Sequence, residues 1–197
     1  MGRKDFFNEA AANWDKRFNN QNLTTFLETL PKFELKKGQN ILDAGAGTGI
    51  LFFFLLNAVG SKGHITAIDY AEKMIETCKT KYLDFPKVTF IVEDIEGTSL
   101  PSQSFDAVVC FGLFPHLEHK KQALNQLNRL LKQGGKLVIA HALSREQINS
   151  HHARIPSVAC DILPTVPQMK EMLKQTGFIK VEIVNIPNCY LCTCIKE

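Results

Sequence analysis

The sequence is short of several things, and each absence narrows the reading. Its first residues, Met1-Gly2-Arg3-Lys4-Asp5, hold no apolar stretch of the kind a secretory signal needs. Phe6 stands where a myristoylation signal would place Ser or Thr. The longest apolar run, Ile50 to Leu56, is far shorter than a bilayer-spanning helix. No long Lys/Arg block is present, and the net charge is only +3, which argues against nucleic acid as the main partner. Cys189-Tyr190-Leu191-Cys192 has no second CxxC to complete a four-ligand metal set, so no metal is expected. The six scattered cysteines are expected to be reduced and mostly buried, and the protein to be cytoplasmic, with no membrane partner. One glycine is also missing. A dinucleotide fingerprint needs its third glycine three positions after the second, and Ile50 occupies that place.

What is present is a glycine loop of a different kind. Ile41-Leu42-Asp43-Ala44-Gly45-Ala46-Gly47-Thr48-Gly49 has the spacing GxGxG directly after an apolar strand. Twenty residues past Gly49, Asp69 closes a second strand. Strand, loop, helix and acid-ended strand form half of a nucleotide-binding unit, in which Asp69 would accept hydrogen bonds from a ribose. Asp43 lies two residues before the first glycine. A carboxylate there repels a pyrophosphate and attracts an ammonium group, so the loop favours a ligand with an α-amino acid end.

With 197 residues, 45% hydrophobic and 22% charged, the chain reads as one soluble domain. Residues 4 to 20 carry Phe6, Phe7, Ala10, Ala11, Trp14 and Phe18 at helical spacing. A second helix is expected over Leu23 to Leu30, before Pro31. Strands are expected at 40–44, 64–69, 88–92, 105–111, 136–141, 178–186 and 189–195. Helices are expected over 50–59, 71–81 and 169–176, with another carrying Leu117, Leu124, Leu127 and Leu130 and stopping at Gly134-Gly135. The 50–59 helix is apolar almost all round, so Phe52, Phe53 and Phe54 are expected to pack. Ser144 and Gln147 form a capping box for a short helix. Alternating β and α segments predict a mostly parallel sheet with helices on both faces. The short Pro187-Asn188 turn requires one antiparallel strand near the C-terminus.

From about Gly38 to Lys196 the chain resembles the class I S-adenosylmethionine-dependent methyltransferases, in their small-molecule, ubiquinone/menaquinone-biosynthesis-like branch. The residues that carry this are the 41–49 loop, Ala67-Ile68-Asp69-Tyr70 with Met74, Glu93-Asp94-Ile95, the 100–110 segment and Leu130 to Leu137. The resemblance implies a Rossmann-like sheet of seven strands, S-adenosylmethionine as cofactor and a small-molecule methyl acceptor. It implies that Gly45, Ala46 and Gly47 pass the methionine portion and that Asp43 reaches its amino end. Asp69 would bind the ribose hydroxyls. Tyr70 and Met74 would pack on the adenine, Asp94 and the Ile95 backbone would meet its edge, and Phe111 with Gly112 would line the transfer site. It divides the chain into a helical lid (1–30), a cofactor core (38–140), a substrate-side segment (141–167) and a terminal helix and strand pair (168–197). Cys110-Phe111-Gly112-Leu113-Phe114-Pro115 stands where base-modifying members have Asn-Pro-Pro-Tyr.

His141 ends the fifth strand and His116 follows the fourth, at the strand ends where open α/β sheets bind ligands. Both are candidate catalytic groups, with His151, His152 and Asp161 nearby in sequence. The alternatives at this point are a nucleic-acid or protein methyltransferase, an NAD-dependent oxidoreductase and a non-catalytic nucleotide-binding protein.

Overall fold

The structure, a computed structural model, describes residues 2–17 and 20–197. Asn40–Ala44 (β1), His64–Asp69 (β2), Val88–Val92 (β3), Phe105–Phe111 (β4), Leu131–His141 (β5), Phe178–Ile186 (β6) and Cys189–Lys196 (β7) make one seven-stranded sheet. Its order is β3-β2-β1-β4-β5-β7-β6. All neighbours run parallel except β7, which is antiparallel to both β5 and β6. The strand order reverses between β1 and β4, which opens a crevice at their carboxyl ends.

Helices Arg3–Ala10 (α1), Asn20–Leu27 (α2), Phe52–Val59 (α3), Glu72–Tyr82 (α4), Lys120–Leu130 (α5), Arg145–His152 (α6) and Val166–Gln175 (α7) surround the sheet. One buried cluster joins Leu124, Leu127, Leu173, Cys192 and Cys194. A second joins Phe26, Phe33, Phe52, Leu55, Ile75 and Cys189. Alternation along β7 therefore sends Cys189 to one face and Cys192 and Cys194 to the other.

Several boundaries differ from expectation for identifiable reasons. The first helix becomes a tighter 3-10 coil at Ala11–Arg17, where Asp15 takes a hydrogen bond from Thr48 and an ion pair from Lys81; Phe18 lies outside the described residues. Instead of reaching Leu30, α2 ends at Leu27, and a separate 3-10 turn, Leu30–Phe33, carries Pro31. Gly49 turns through φ 82° and Phe52 N bonds back to its carbonyl, so α3 starts at Phe52 and not at Ile50. Gly134-Gly135 does not stop a helix. After Phe105 pairs with Leu131, the next paired residues are Ala107 and Lys136, so the glycines lie in an irregular bulge within β5. Phe53 is 77% exposed: Phe52, Leu55 and Val59 share the inward stripe of α3, and Phe53 is turned about 100° away from it. Thr165 and Gln168 form a second capping box, which starts α7 at Val166. Among the described residues no helix is long and apolar enough to cross a membrane.

Candidate active site

The crevice holds three adjoining cavities. The first, about 600 Å³, is walled by Asp43, Gly45, Ala46, Gly47, Asp69 and Met74, with Phe111 and Gly112 at one side. The second, about 530 Å³, continues from Asp69 and Tyr70 to Asp94 and Ile95. The third, about 840 Å³, lies beyond Phe111 and Gly112 and reaches His141, Ile148, His151 and His152. His116 is on the wall of all three. Every residue that the resemblance assigns to the cofactor therefore lines one continuous crevice.

The backbone explains the shape. Gly45 N and Ala46 N both bond the Ile68 carbonyl, which turns the chain sharply off β1. Gly45 has φ 68°, and a Cβ there would stand 2.9 Å from Leu113. Only glycine keeps this wall open. Gly49 serves packing instead, since a Cβ on it would strike Cys78 and Tyr82 of α4. Asp69 Oδ2 accepts from Gly47 N, and Oδ1 accepts from Ala71 N, both at 2.9 Å. Asp69 thus braces the glycine loop and the entry to α4 together. Asp94 caps a short 3-10 turn by accepting from Glu96 N, and its residue borders the second cavity.

Electrostatics favour a ligand that brings positive charge and donors. Burial, reinforced by the neighbouring Asp69, pushes the Asp43 carboxyl up to about 7. Burial also raises Asp69, to about 6, against the opposing backbone hydrogen bonds. Among the described residues no cationic side chain faces either carboxylate. The Tyr70 hydroxyl is buried in the same region without a partner. An ammonium group, a ribose diol and an adenine amine fit this set of acceptors, whereas a pyrophosphate does not.

The two candidate catalytic histidines differ. His116 follows β4 in a 3-10 turn, and its Nδ1 lies 2.6 Å from Asp161 Oδ2. Burial outweighs the pull of Asp161 and holds its pKa below the ordinary histidine value. His141 borders only the third cavity, and its Nε2 is buried without a partner. Burial, with His116 and His152 nearby, lowers it to about 3, so it is neutral at physiological pH. His152 Nδ1 lies 2.6 Å from the Asp161 carbonyl oxygen. Among the described residues no group of three or more His, Cys, Asp or Glu side chains is arranged to hold a metal.

The Arg3–Asp161–His116 network was not legible from the sequence, because its members are 158 and 45 residues apart. Phe7 and Trp14 also border the first and third cavities, so the N-terminal segment lies over the crevice. Phe7 meets Trp14, Tyr70 and His116 edge-on at 5.0–6.2 Å.

Comparison with known proteins agrees with this geometry. A family model described as "Methyltransferase domain" matches residues 41–135. Mouse arsenite methyltransferase is 34% identical over 127 residues, covering 56% of this chain and 34% of that protein. The ubiquinone/menaquinone biosynthesis C-methyltransferase UbiE of Shewanella sp. (strain ANA-3) is 26% identical over 178 residues, covering 77% and 70%. The chain thus spans about a third of the first relative and more than two thirds of the second. Among solved structures, a methyltransferase in complex with the Haloferax volcanii Trm112 activator aligns with a TM-score of 0.81 at 19% identity over 96% of both chains. A SAM-dependent methyltransferase from Aquifex aeolicus aligns at 0.73, with 24% identity over 86% and 88%. Glycine loop, paired acids, sheet order and relatives agree: residues 41–135 match a methyltransferase domain, and the chain is similar to S-adenosylmethionine-dependent methyltransferases in sequence and fold.

Proposed function

We propose that this protein transfers a methyl group from S-adenosylmethionine to a small-molecule acceptor held in the third cavity. The single observation that carries this reading is the position of His116 and Phe111. They stand on the wall shared by the glycine-loop cavity and a mostly apolar chamber behind it. When bound, the cofactor supplies an electrophilic methyl carbon on a sulfonium.

Each residue's role follows from its chemistry. Asp43 receives the cofactor's ammonium group, and Asp69 its ribose hydroxyls. Tyr70 and Met74 pack on the adenine, with Asp94 and Ile95 at its edge. Gly45, Ala46 and Gly47 let the methionine portion approach the backbone. Phe7, Trp14 and Phe111 exclude water and hold the two reactants in line, and such orientation can supply several kcal/mol of the barrier reduction, on the order of 7–11. His116 Nε2 takes the proton when the acceptor is one that must lose it. His141, neutral and unpartnered, offers a hydrogen bond to a polar atom of the acceptor.

The chamber's lining includes four imidazoles and no lysine, arginine or carboxylate, which supports an acceptor with apolar surface and few polar atoms. The relatives named above are, by their names, an arsenite methyltransferase and a C-methyltransferase of ubiquinone/menaquinone biosynthesis, which also supports a small acceptor. All six cysteines are free thiols, five of them buried and Cys160 exposed. That supports a reducing, cytoplasmic setting.

Calorimetry with S-adenosylhomocysteine tests the cofactor half, with one-to-one binding expected and NAD giving no heat. Screening small acceptors by release of S-adenosylhomocysteine tests the other half. An absence of binding overturns the reading.

A further inference from the structure

Arg3, in the first turn of α1, donates through Nε to Asp161 Oδ2 at 3.0 Å and through Nη2 to Oδ1 at 2.6 Å. This is the two-pronged geometry in which a guanidinium fixes a carboxylate plane. Asp161 is only 2% exposed, and its Oδ2 also faces His116 Nδ1. The Asp161 backbone is held separately, by its N–H to Val158 and its carbonyl toward His152. The carboxylate's own rotation is therefore set by Arg3 and His116.

The protonation states follow from these contacts. Burial raises the Asp161 carboxyl, but the hydrogen bonds from His116 and Arg3 outweigh it and hold the group below the usual carboxylate range. An ionised carboxylate only accepts, so His116 Nδ1 donates, and a neutral His116 keeps its Nε2 lone pair free. We propose that Arg3 is a positioning residue: by gripping Asp161 it fixes the tautomer and orientation of His116, and it does so only while α1 is docked. This rests on the reading of His116 as the acceptor-facing base.

Docking of α1 therefore does two things together. It lays Phe7 against His116 and Tyr70, and it delivers the Arg3 guanidinium to the far side of Asp161. The other ties of α1 run to the opposite side of the crevice, from Lys4 and Asn8 to Glu72 and from Lys73 N to Asn8. Arg3 on α1, His141 on β5, His152 on α6 and Asp161 before α7 interact electrostatically with His116, Tyr70 after β2 shares two cavity walls with it, and Lys120 on α5 bonds the carbonyls of Pro115 and Leu117 on either side of it. Asp161 draws a proton onto His116, while Arg3 and His152 oppose it.

Long-range proton–nitrogen NMR on the full chain, with S-adenosylhomocysteine bound, reads the tautomer and titration of His116 directly. The wild type should show the Nδ1–H form, with a midpoint below an ordinary histidine. Arg3→Met should raise that midpoint by at least about half a unit and broaden the tautomer signal. Lys4→Met, which removes a weak, exposed ion pair to Glu72 and leaves α1 docked, should leave both unchanged. Arg3→Met spectra equal to wild type overturn the proposal, and so does an equal shift in Lys4→Met. If Arg3→Met undocks α1, seen in Trp14 emission, Arg3→Lys decides, because it keeps the charge and loses the two-pronged grip: with α1 docked, a broadened tautomer signal supports the proposal, and a wild-type signal contradicts it. Loss of S-adenosylhomocysteine binding in the wild type would instead count against the functional reading itself.

Discussion

Asp69 Oδ2 accepts the hydrogen bond of Gly47 N at 2.9 Å, so the acid at the end of β2 shapes the glycine loop that follows β1. The same carboxylate is the proposed ribose ligand. Asp69→Ala should lose both at once: S-adenosylhomocysteine affinity should fall at least about 30-fold, roughly 2 kcal/mol for charged hydrogen bonds. Calorimetry checks this, and an unchanged dissociation constant would remove Asp69 from the site.

Asp43 gives a pH-dependent expectation. Its pKa in the folded chain is about 7 against an ordinary 3.8, so the folded state holds the proton more tightly than the unfolded chain. Stability therefore falls as pH rises from about 4 to about 7, with the penalty fully present above that window. Asp43→Asn should melt higher than wild type at pH 8, by up to a few kcal/mol, and the two should converge near pH 4. The same variant should bind S-adenosylhomocysteine more weakly. Wild-type binding should release protons below pH 7, as the ligand's ammonium group favours the ionised acid. Melting curves and calorimetry in two buffers of different ionisation heat measure these effects.

Gly45 and Leu113 form a steric pair. Gly45→Ala places a methyl 2.9 Å from the Leu113 side chain, on a backbone with φ 68°. A loss of about 1–3 kcal/mol in stability is expected, with a matching drop in cofactor affinity. Leu113→Ala should recover part of the steric share and none of the backbone share. A double-mutant cycle of chemical denaturation separates the two.

Phe52 and Phe53 are adjacent in sequence and opposite in surroundings. Phe52→Ala should cost about 3–5 kcal/mol, because the ring is fully buried against Tyr82 and Phe90. Phe53→Ser should change stability by less than about 0.5 kcal/mol. Equal losses in the two variants would contradict the placement of α3.

Much of this was legible in the sequence, for local reasons. The GxGxG loop, Asp69 and the apolar strand runs are signals read within a few residues, and β1, β2, β3 and β4 begin and end where the pattern predicts. The Ser144–Gln147 capping box is of the same kind. What escaped depends on distant partners or on backbone turns. Phe53 shares its composition with Phe52 and Phe54, and only the phase of α3 against the sheet decides which ring is covered. Gly134-Gly135 reads as a helix stop, yet Leu131 already pairs with Phe105. Arg3 and Asp161 carry no local motif, and only the docking of α1 brings them together.

A crystal structure with S-adenosylhomocysteine bound tests the central claim most directly. The account predicts the ligand's amino end at Asp43, its ribose at Asp69, its adenine beside Tyr70 and Asp94, and its sulfur facing Phe111 and His116. Clear density for the ligand elsewhere, or a vacant crevice at saturating concentration, would contradict it.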